Sequence, residues 1–218
     1  MTLEDLVQSS VSRLNGLLPL KARQDRLSPE LKALHRAVVT VLVTQGRAPS
    51  RAEAAAVVGE AHVDDALARL GKDDLVVLSP DRQQILGAYP ASLETTPHVV
   101  ELHGHSIHAM CSIDALAISA VFSCDVTIRS SCRVTHEPVL ARQVDGLVVE
   151  ATPAAVLVGV RWKAPAGECA AHSLCREMVF LKDAAAAAKW HGGDLDNHSL
   201  YTLSEAVAFA AAYFRPLV

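Results

Sequence analysis

The sequence predicts an α+β protein in which a helical module precedes a larger mixed domain. Helical patterns followed by one hairpin fill residues 31–88, whereas short strand-like runs interrupted by helices follow residue 97. Between these regions, residues 89–97 carry two prolines and small polar side chains, which are typical of a linker. We therefore predict a winged-helix-like module over residues 1–90 and an α+β domain of short antiparallel strands and helices over residues 91–218.

Capping patterns mark most of the helices predicted in the first module. Thr2 with Asp5 and Ser50 with Glu53 fit the capping box, in which a hydroxyl and a carboxylate satisfy the first backbone amides of a helix. Ser28-Pro29-Glu30 combines an N-cap, a proline at the first helical position and an early acid. With apolar residues at helical spacing, these signals predict helices over residues 3–18, 31–44, 54–58 and 62–70 and hairpin strands at 75–78 and 84–86.

The second domain is predicted from shorter signals. Thr202 with Glu205 forms another capping box, and Asp145-Gly146 is a turn sequence between strand-like runs. The strands are expected at residues 98–102, 126–130, 147–150 and 155–161, and the helices at residues 108–122, 183–190 and 206–214.

Composition and charge exclude several classes of function. Half of the 218 residues are apolar, and the formal net charge is -4, so the molecule as a whole does not attract nucleic acid or an anionic membrane. The N-terminal segment is acidic and lacks the order of a signal peptide. The longest apolar run, residues 113–122, is about half the roughly 20 residues that a membrane-spanning helix needs. We therefore expect a soluble, cytoplasmic protein with no nucleic-acid or membrane partner.

Five cysteines are an odd number, and in a cytoplasmic chain they are expected to be free thiols: Cys111, Cys124, Cys132, Cys169 and Cys175. A buried cysteine taken alone more often packs as a small apolar residue than reacts. Cys111 and Asp114 are three residues apart and would share one face of the predicted helix. No local spacing connects this pair with Cys175, so spacing alone leaves the function open.

Three ordered segments resemble the bacterial organomercurial lyases, also called alkylmercury lyases, over roughly residues 98–214. The segment Ala109-Met-Cys111-Ser-Ile-Asp114-Ala-Leu116 resembles the Cys-x-x-Asp helix of that family. Ser130-Ser-Cys132 with Glu137-Pro138-Val139 resembles its next segment, and Ser173-Leu-Cys175 with Val179-Phe180 and Trp190 resembles its second cysteine segment.

The resemblance implies an enzyme that cleaves a carbon–mercury bond by protonation. Cys111 and Cys175 would be the thiols that bind mercury, Asp114 the proton carrier, and Cys132 a structural cysteine. The trio would hold Hg(II) only as a transient product. No resident cofactor is implied; free cytosolic thiols would act as co-reactants that remove Hg(II), and a mercuric reductase is a candidate recipient.

Elementary chemistry is consistent with this trio. Mercury(II) is a soft cation and prefers thiolate sulfur. We expect Cys111 to attack first, because a helix beginning near His108 would lower the pKa of its thiol. Asp114 would accept the proton of Cys175 and then deliver it to carbon as general acid.

This chain departs from the family pattern at three positions. Arg176 stands where many members carry a second cysteine, Met110 stands where an aromatic residue precedes the first cysteine, and His108 stands where a tyrosine often lies. These departures bear on the substrate range and on the transfer of the metal.

Two alternatives remain open at this point. The first is a winged-helix regulator, but residues 46–85 carry five basic and seven acidic side chains, a local charge of -2 that opposes DNA binding. The second is a relative that binds another soft metal or acts on a substrate without mercury, since His108, Cys111, Asp114 and Cys175 could ligate zinc or copper by residue type.

Overall fold

The computed structural model describes residues 2–167 and 169–218. Within these residues the helices are Leu3–Leu17 (α1), Leu20–Asp25 (α2), Pro29–Gln45 (α3), Arg51–Val58 (α4), Val63–Lys72 (α5), Ser112–Phe122 (α6), Ala184–His191 (α7) and Leu203–Phe214 (α8). The strands are Val77–Leu78 (β1), Ile85–Ala88 (β2), Ala91–Ser92 (β3), His98–Leu102 (β4), His105–Ala109 (β5), Val126–Ser131 (β6), Pro138–Val144 (β7), Leu147–Thr152 (β8), Leu157–Arg161 (β9), Met178–Leu181 (β10) and His198–Thr202 (β11). The predicted α+β class, with helices preceding a domain of antiparallel strands and helices, is confirmed.

Local capping signals place the N-terminal helices where the sequence predicts them. The Thr2 hydroxyl accepts a hydrogen bond from the Asp5 amide at the start of α1, and a second capping box opens α4. Helix α3 begins after the Ser28 cap and ends at Gly46, whose φ of 65° is the left-handed value that glycine adopts without strain. Sequence patterns missed α2, because this six-residue helix has no side-chain cap.

An eight-stranded antiparallel sheet runs through the middle of the chain in the order β1-β2-β3-β5-β4-β6-β7-β8. The predicted hairpin forms β1 and β2, and β2 then pairs with β3 through Gly87 opposite Ser92. Strands on both sides of residue 90 therefore belong to one sheet. The division of the chain at residue 90 stays a prediction.

The predicted helix 108–122 begins four residues later than expected, at Ser112. Residues 105–109 are strand β5, which pairs with β4 around a turn at His103 and Gly104, both with positive φ. Ile107 and Ala109 point into the core from this strand, so burial on the sheet overrides the helical pattern of the sequence.

Helix α6 lies at the centre of the second domain. Its residues from Ser112 to Ala120 are all buried, which is typical of a helix that is apolar on every side. It packs against α8 and against strands of both sheets, including β10. The beginning of α6 is therefore shielded from water.

A second, three-stranded sheet has the order β10-β9-β11. A bridge between Cys132 and Phe180 joins it to the end of β6, and the Arg133 amide donates to the Phe180 carbonyl at 2.9 Å. This junction brings the start of β10, and Cys175 just before it, next to α6. Within the described residues, none of the helices combines the length and apolarity needed to cross a bilayer.

Candidate active site

Cys111 is the N-cap of helix α6. Its backbone is extended, and its sulfur accepts a hydrogen bond from the Asp114 amide at 3.4 Å. The same thiol donates to Asp114 Oδ2 at 2.7 Å. Asp114 occupies the third helical position, so the first turn of α6 holds a thiol and a carboxyl group in direct contact.

Cys175 reaches this pair from the second sheet. It begins a short 3₁₀ turn, Cys175–Glu177, that leads directly into β10. One ligand atom from each of Cys111, Asp114 and Cys175 lies within 4.8 Å of the other two. The structure thus brings together all three residues that the sequence analysis assigned to the site, and all three are buried.

Burial controls the charge of the site. It raises the pKa of Asp114 to about 7, although hydrogen bonds from the two thiols act in the opposite direction. Burial also raises the pKa of Cys111 well above its ordinary value. The hydrogen bond with Cys111 lowers the pKa of Cys175, but burial and the charge of Asp114 outweigh it and raise that pKa to about 11.

The prediction that the helix start lowers the pKa of Cys111 is therefore wrong for the metal-free site. A helix N-terminus favours a thiolate, yet a thiolate removed from water and placed beside a carboxylate is disfavoured more strongly. At neutral pH both cysteines are thiols. Oδ1 of Asp114 has no hydrogen-bond partner among the described residues, so one of its lone pairs is free for a proton.

A cavity of about 520 Å³ leads from the surface to the site. Cys175, Met110 and Met178 line it, whereas Cys111 and Asp114 do not. Met178 Sδ lies 3.6 Å from Cys111 Sγ, so a thioether stands beside the deeper thiol. A molecule that enters the cavity meets Cys175 before Cys111.

The other residues singled out in the sequence lie around this site. His108 projects from β5, and its Nδ1 lies 3.0 Å from the Thr96 carbonyl oxygen and 3.1 Å from the Thr96 amide nitrogen. It is not part of the group of three ligands. Met110 and Arg176 both line the cavity, and Met110 is buried whereas Arg176 is exposed. Cys132 is buried at the junction of the two sheets and is also among the residues that line the cavity, so its structural role stays a prediction.

Sequence reasoning missed Asp74, a buried carboxylate of the N-terminal region. It accepts hydrogen bonds from the Tyr89 hydroxyl at 3.0 Å and from the Ala170 amide at 3.1 Å, and Arg23 lies 3.3 Å away. Burial raises the pKa of Asp74, and these contacts act against the rise. Asp74 therefore ties the helical module to the segment that carries Cys175. In the sequence, Asp74 is only one of the seven acidic residues of the segment 46–85.

Comparisons with known proteins point to one family. A family model described as MerB, alkylmercury lyase, matches residues 91–215. The alkylmercury lyases of Bacillus cereus and Clostridium butyricum are each 27% identical to this chain over 107 residues, which is 49% of this chain and 47% of each relative. The chain thus spans about half the length of the curated relatives that it matches.

The fold is also similar to a solved structure. The crystal structure of the mercury-bound form of MerB2 superposes with a TM-score of 0.75 at 22% identity, covering 91% of this chain and 98% of that one. This likeness supports the α+β fold. The family predicted from the sequence segments is confirmed, because the family model covers more than half of the 218 residues. The chain belongs to the alkylmercury lyase family.

Proposed function

We propose that this protein cleaves the carbon–mercury bond of organomercurials by protonolysis, releasing a hydrocarbon and leaving Hg(II). The observation that carries the proposal is the buried cluster of two thiols and one carboxyl group within 4.8 Å. Thiolates are the ligands that mercury prefers, and a carboxyl group can hold and transfer a proton. Cys111 and Cys175 are the mercury ligands, and Asp114 is the proton carrier.

The position of the cavity favours Cys175 as the first ligand, the reverse of the order expected from the sequence. An organomercurial in a thiol-rich solution carries a small thiolate on mercury. When Cys175 replaces it, the sulfur–mercury bond to Cys175 forms, the bond to the small thiolate breaks, and the proton of Cys175 leaves with the small thiol. Cys175 lines the cavity and is therefore within reach of such an adduct.

Cys111 is the second ligand and supplies the proton for the chemical step. Its thiol already donates to Asp114 at 2.7 Å, so the proton passes to the carboxylate as the Cys111 sulfur bonds to mercury. Two thiolates then increase the electron density on the carbon bound to mercury. Asp114 gives its proton to that carbon, the hydrocarbon leaves, and mercury stays on two sulfurs with Asp114 ionised.

Burial suits Asp114 for this role. A pKa of about 7 means that the carboxyl group can gain and lose a proton near neutral pH. A carboxylate in water, with a pKa near 4, would be a much weaker acid–base catalyst at that pH. Because the surrounding helix and sheet exclude water, the proton is kept from bulk solvent until it reaches carbon.

Product release requires a competing soft ligand. Free thiols of the cytoplasm can exchange with Cys175 at the cavity and then with Cys111, and each exchange returns a proton to a cysteine. The residues of the site need no resident cofactor for these steps. Hg(II) then leaves as a thiol complex, for which a mercuric reductase is a candidate recipient.

The decisive experiment incubates the purified protein with phenylmercury and excess thiol and measures benzene in the headspace. Cys111→Ser and Cys175→Ser should each abolish benzene release, because a hydroxyl is too hard to replace a thiolate on mercury. Cys124→Ser is the matched control, since Cys124 is also buried but stands outside the cluster. Near-normal turnover in either site variant would contradict the two-thiol mechanism.

A further inference from the structure

We propose that the cavity beside Cys175 is a binding site for the carboxylate groups of an anionic low-molecular-weight thiol, with Arg133 and Arg176 as the residues that recognise them. The inference rests on the proposed function, because it concerns the thiol that brings mercury to the site or takes it away. It adds a chemical class of ligand and two recognition residues to that function.

Most residues that line the cavity are uncharged, and those that can carry a charge are mainly basic. Two arginines and three histidines contribute to it, namely Arg133, Arg176, His98, His136 and His172. Glu94 is the acidic residue among them, and its carboxylate already accepts a hydrogen bond from His172 at 2.8 Å. Because the pKa of His98 is lowered to about 4, the positive charge at this opening comes from Arg133 and Arg176, in a protein whose formal net charge is -4.

The two guanidinium groups are available for a ligand. Within the described residues, neither Arg133 nor Arg176 makes an ion pair or a side-chain hydrogen bond. Six of the other twelve arginines of the sequence are paired with carboxylates: Arg23, Arg47, Arg51, Arg69, Arg129 and Arg161. Burial lowers the pKa of His98 to about 4, and the charge of Arg133 adds to that effect, so this guanidinium acts on the interior of the cavity.

These features select one ligand chemistry. A guanidinium presents paired donors that match a carboxylate. Cys175 lines the same cavity, so a ligand that holds sulfur and carboxylate a few bonds apart can reach Cys175 and the arginines together. A volume of about 520 Å³ accommodates a molecule of that size.

The anionic thiol can act at two stages, delivery and removal of mercury, and the same thiol exchange applies to both. In delivery, the anionic thiolate is bonded to the incoming organomercurial and leaves when the Cys175 sulfur takes its place. In removal, a free anionic thiol bonds to Hg(II), the bond from mercury to Cys175 breaks, and Cys175 regains a proton. Neither direction involves oxidation or reduction.

The test compares two thiols on protein loaded with Hg(II). Mercaptosuccinate carries two carboxylates and 2-mercaptoethanol carries none, and the measured quantity is the ratio of their rates of Hg(II) removal. We expect this ratio to fall about threefold in Arg133→Gln, about threefold in Arg176→Gln and about tenfold in the double variant, as for exposed ion pairs. Arg36→Gln is the matched control, because Arg36 is exposed and lies outside the cavity; it should leave the ratio unchanged.

A second arm of the experiment determines whether the anionic thiol acts in delivery or in removal of mercury. Preformed adducts of phenylmercury with each thiol are supplied to the same variants, and benzene release is measured. A charge preference in this arm assigns the site to delivery, and a preference in the first arm assigns it to removal. In the unmodified protein, either preference should shrink as salt is raised.

An unchanged ratio in the double variant in both arms would overturn the inference. That result is distinguishable from failure of the proposed function. Removal of Hg(II) from loaded protein requires no cleavage of a carbon–mercury bond, whereas absence of benzene in the presence of a charge preference would contradict the function alone.

Discussion

Helices α4 and α6 both begin with a side chain that accepts a hydrogen bond from the amide of an acidic residue three positions later, but the two acidic residues lie in opposite environments. In α4 the Ser50 hydroxyl accepts from the Glu53 amide, and in α6 the Cys111 sulfur accepts from the Asp114 amide. Both carboxyl groups occupy the third helical position. Glu53 is exposed and paired with Arg47, whose hydrogen bonds lower its pKa to about 2, whereas burial raises the pKa of Asp114 to about 7.

The difference shows what burial adds to a common motif. An exposed carboxylate with an arginine partner stays ionised at all physiological pH values and only helps to start a helix. The same group placed in the core, with two thiols in place of the arginine, becomes able to exchange a proton near pH 7. The candidate site thus resembles a helix cap that is buried in the core and in which a cysteine sulfur takes the place of the serine hydroxyl.

The largest expected effect is a loss of hydrocarbon release when the Asp114 carboxyl group is replaced but not when the Glu53 carboxyl group is replaced. Asp114→Asn should slow hydrocarbon release at least about 100-fold, because an amide cannot accept and return the proton. Binding of inorganic Hg(II) should be largely retained, since it depends on the two sulfurs. Glu53→Gln is the control and should leave both properties unchanged. Mercury titration paired with headspace analysis measures them, and parental turnover in Asp114→Asn would mean that another group supplies the proton.

The pH dependence of turnover should report Asp114 and not Glu53. Asp114 must be ionised to accept the thiol proton, and its pKa is about 7. kcat/KM should therefore rise about tenfold per pH unit below 7 and level off above it. A profile that is flat from pH 5 to 8 would contradict this assignment. The same rise of kcat/KM with pH should persist in Glu53→Gln.

Stability should respond to pH with opposite signs at the two helix starts. The buried Asp114 stays protonated up to about pH 7, whereas its ordinary pKa is 3.8, so its contribution to folding falls as the pH rises from about 4 to 7. Glu53 has a lowered pKa, so its contribution is present above about 4.5 and is lost as the pH falls towards 2.

The melting temperature can test this difference. Asp114→Asn removes the ionisable group, so its melting temperature relative to the parent should be several degrees higher at pH 8 than at pH 5. Glu53→Gln should be slightly less stable than the parent at pH 8, and this deficit should vanish near pH 2. A difference between Asp114→Asn and the parent that does not change with pH would show that the Asp114 carboxyl is not perturbed by burial.

The smallest expected effect concerns DNA. The surface of the N-terminal helices carries ion pairs such as Arg51 with Asp64 and Glu60, so part of its basic charge is already paired with carboxylates. We expect no binding of duplex DNA in a gel-shift assay at physiological salt. Salt-sensitive binding below micromolar concentrations would favour a regulator over an enzyme.

Local signals in the sequence predicted the helix starts, because a cap depends on residues three positions apart. Ser50 with Glu53 and Thr202 with Glu205 were found this way. The same spacing linked Cys111 to Asp114, but the strand before them was read as helix because its pairing with β4 is a tertiary contact.

The convergence of Cys175 on this pair is also tertiary. It depends on the junction of two sheets near Cys132, so no spacing in the sequence predicts it; the family resemblance supplied it instead. The charge state of the site was missed for a related reason. The sequence predicts that Cys111 lies near the beginning of a helix but not that nine consecutive residues of that helix are buried.

The distance along the chain between the two cysteines has a further consequence. A mercury atom bonded to both sulfurs closes a loop of 64 residues, as a disulfide would, and such a closure can stabilise a folded protein by about 4 kcal/mol. Each turnover would then end in a cross-linked protein that is harder to unfold than the protein that began it. In the proposed reaction, Hg(II) would then be retained by the folded chain as well as by the two sulfurs, and a new cycle would begin only after a free thiol had displaced it.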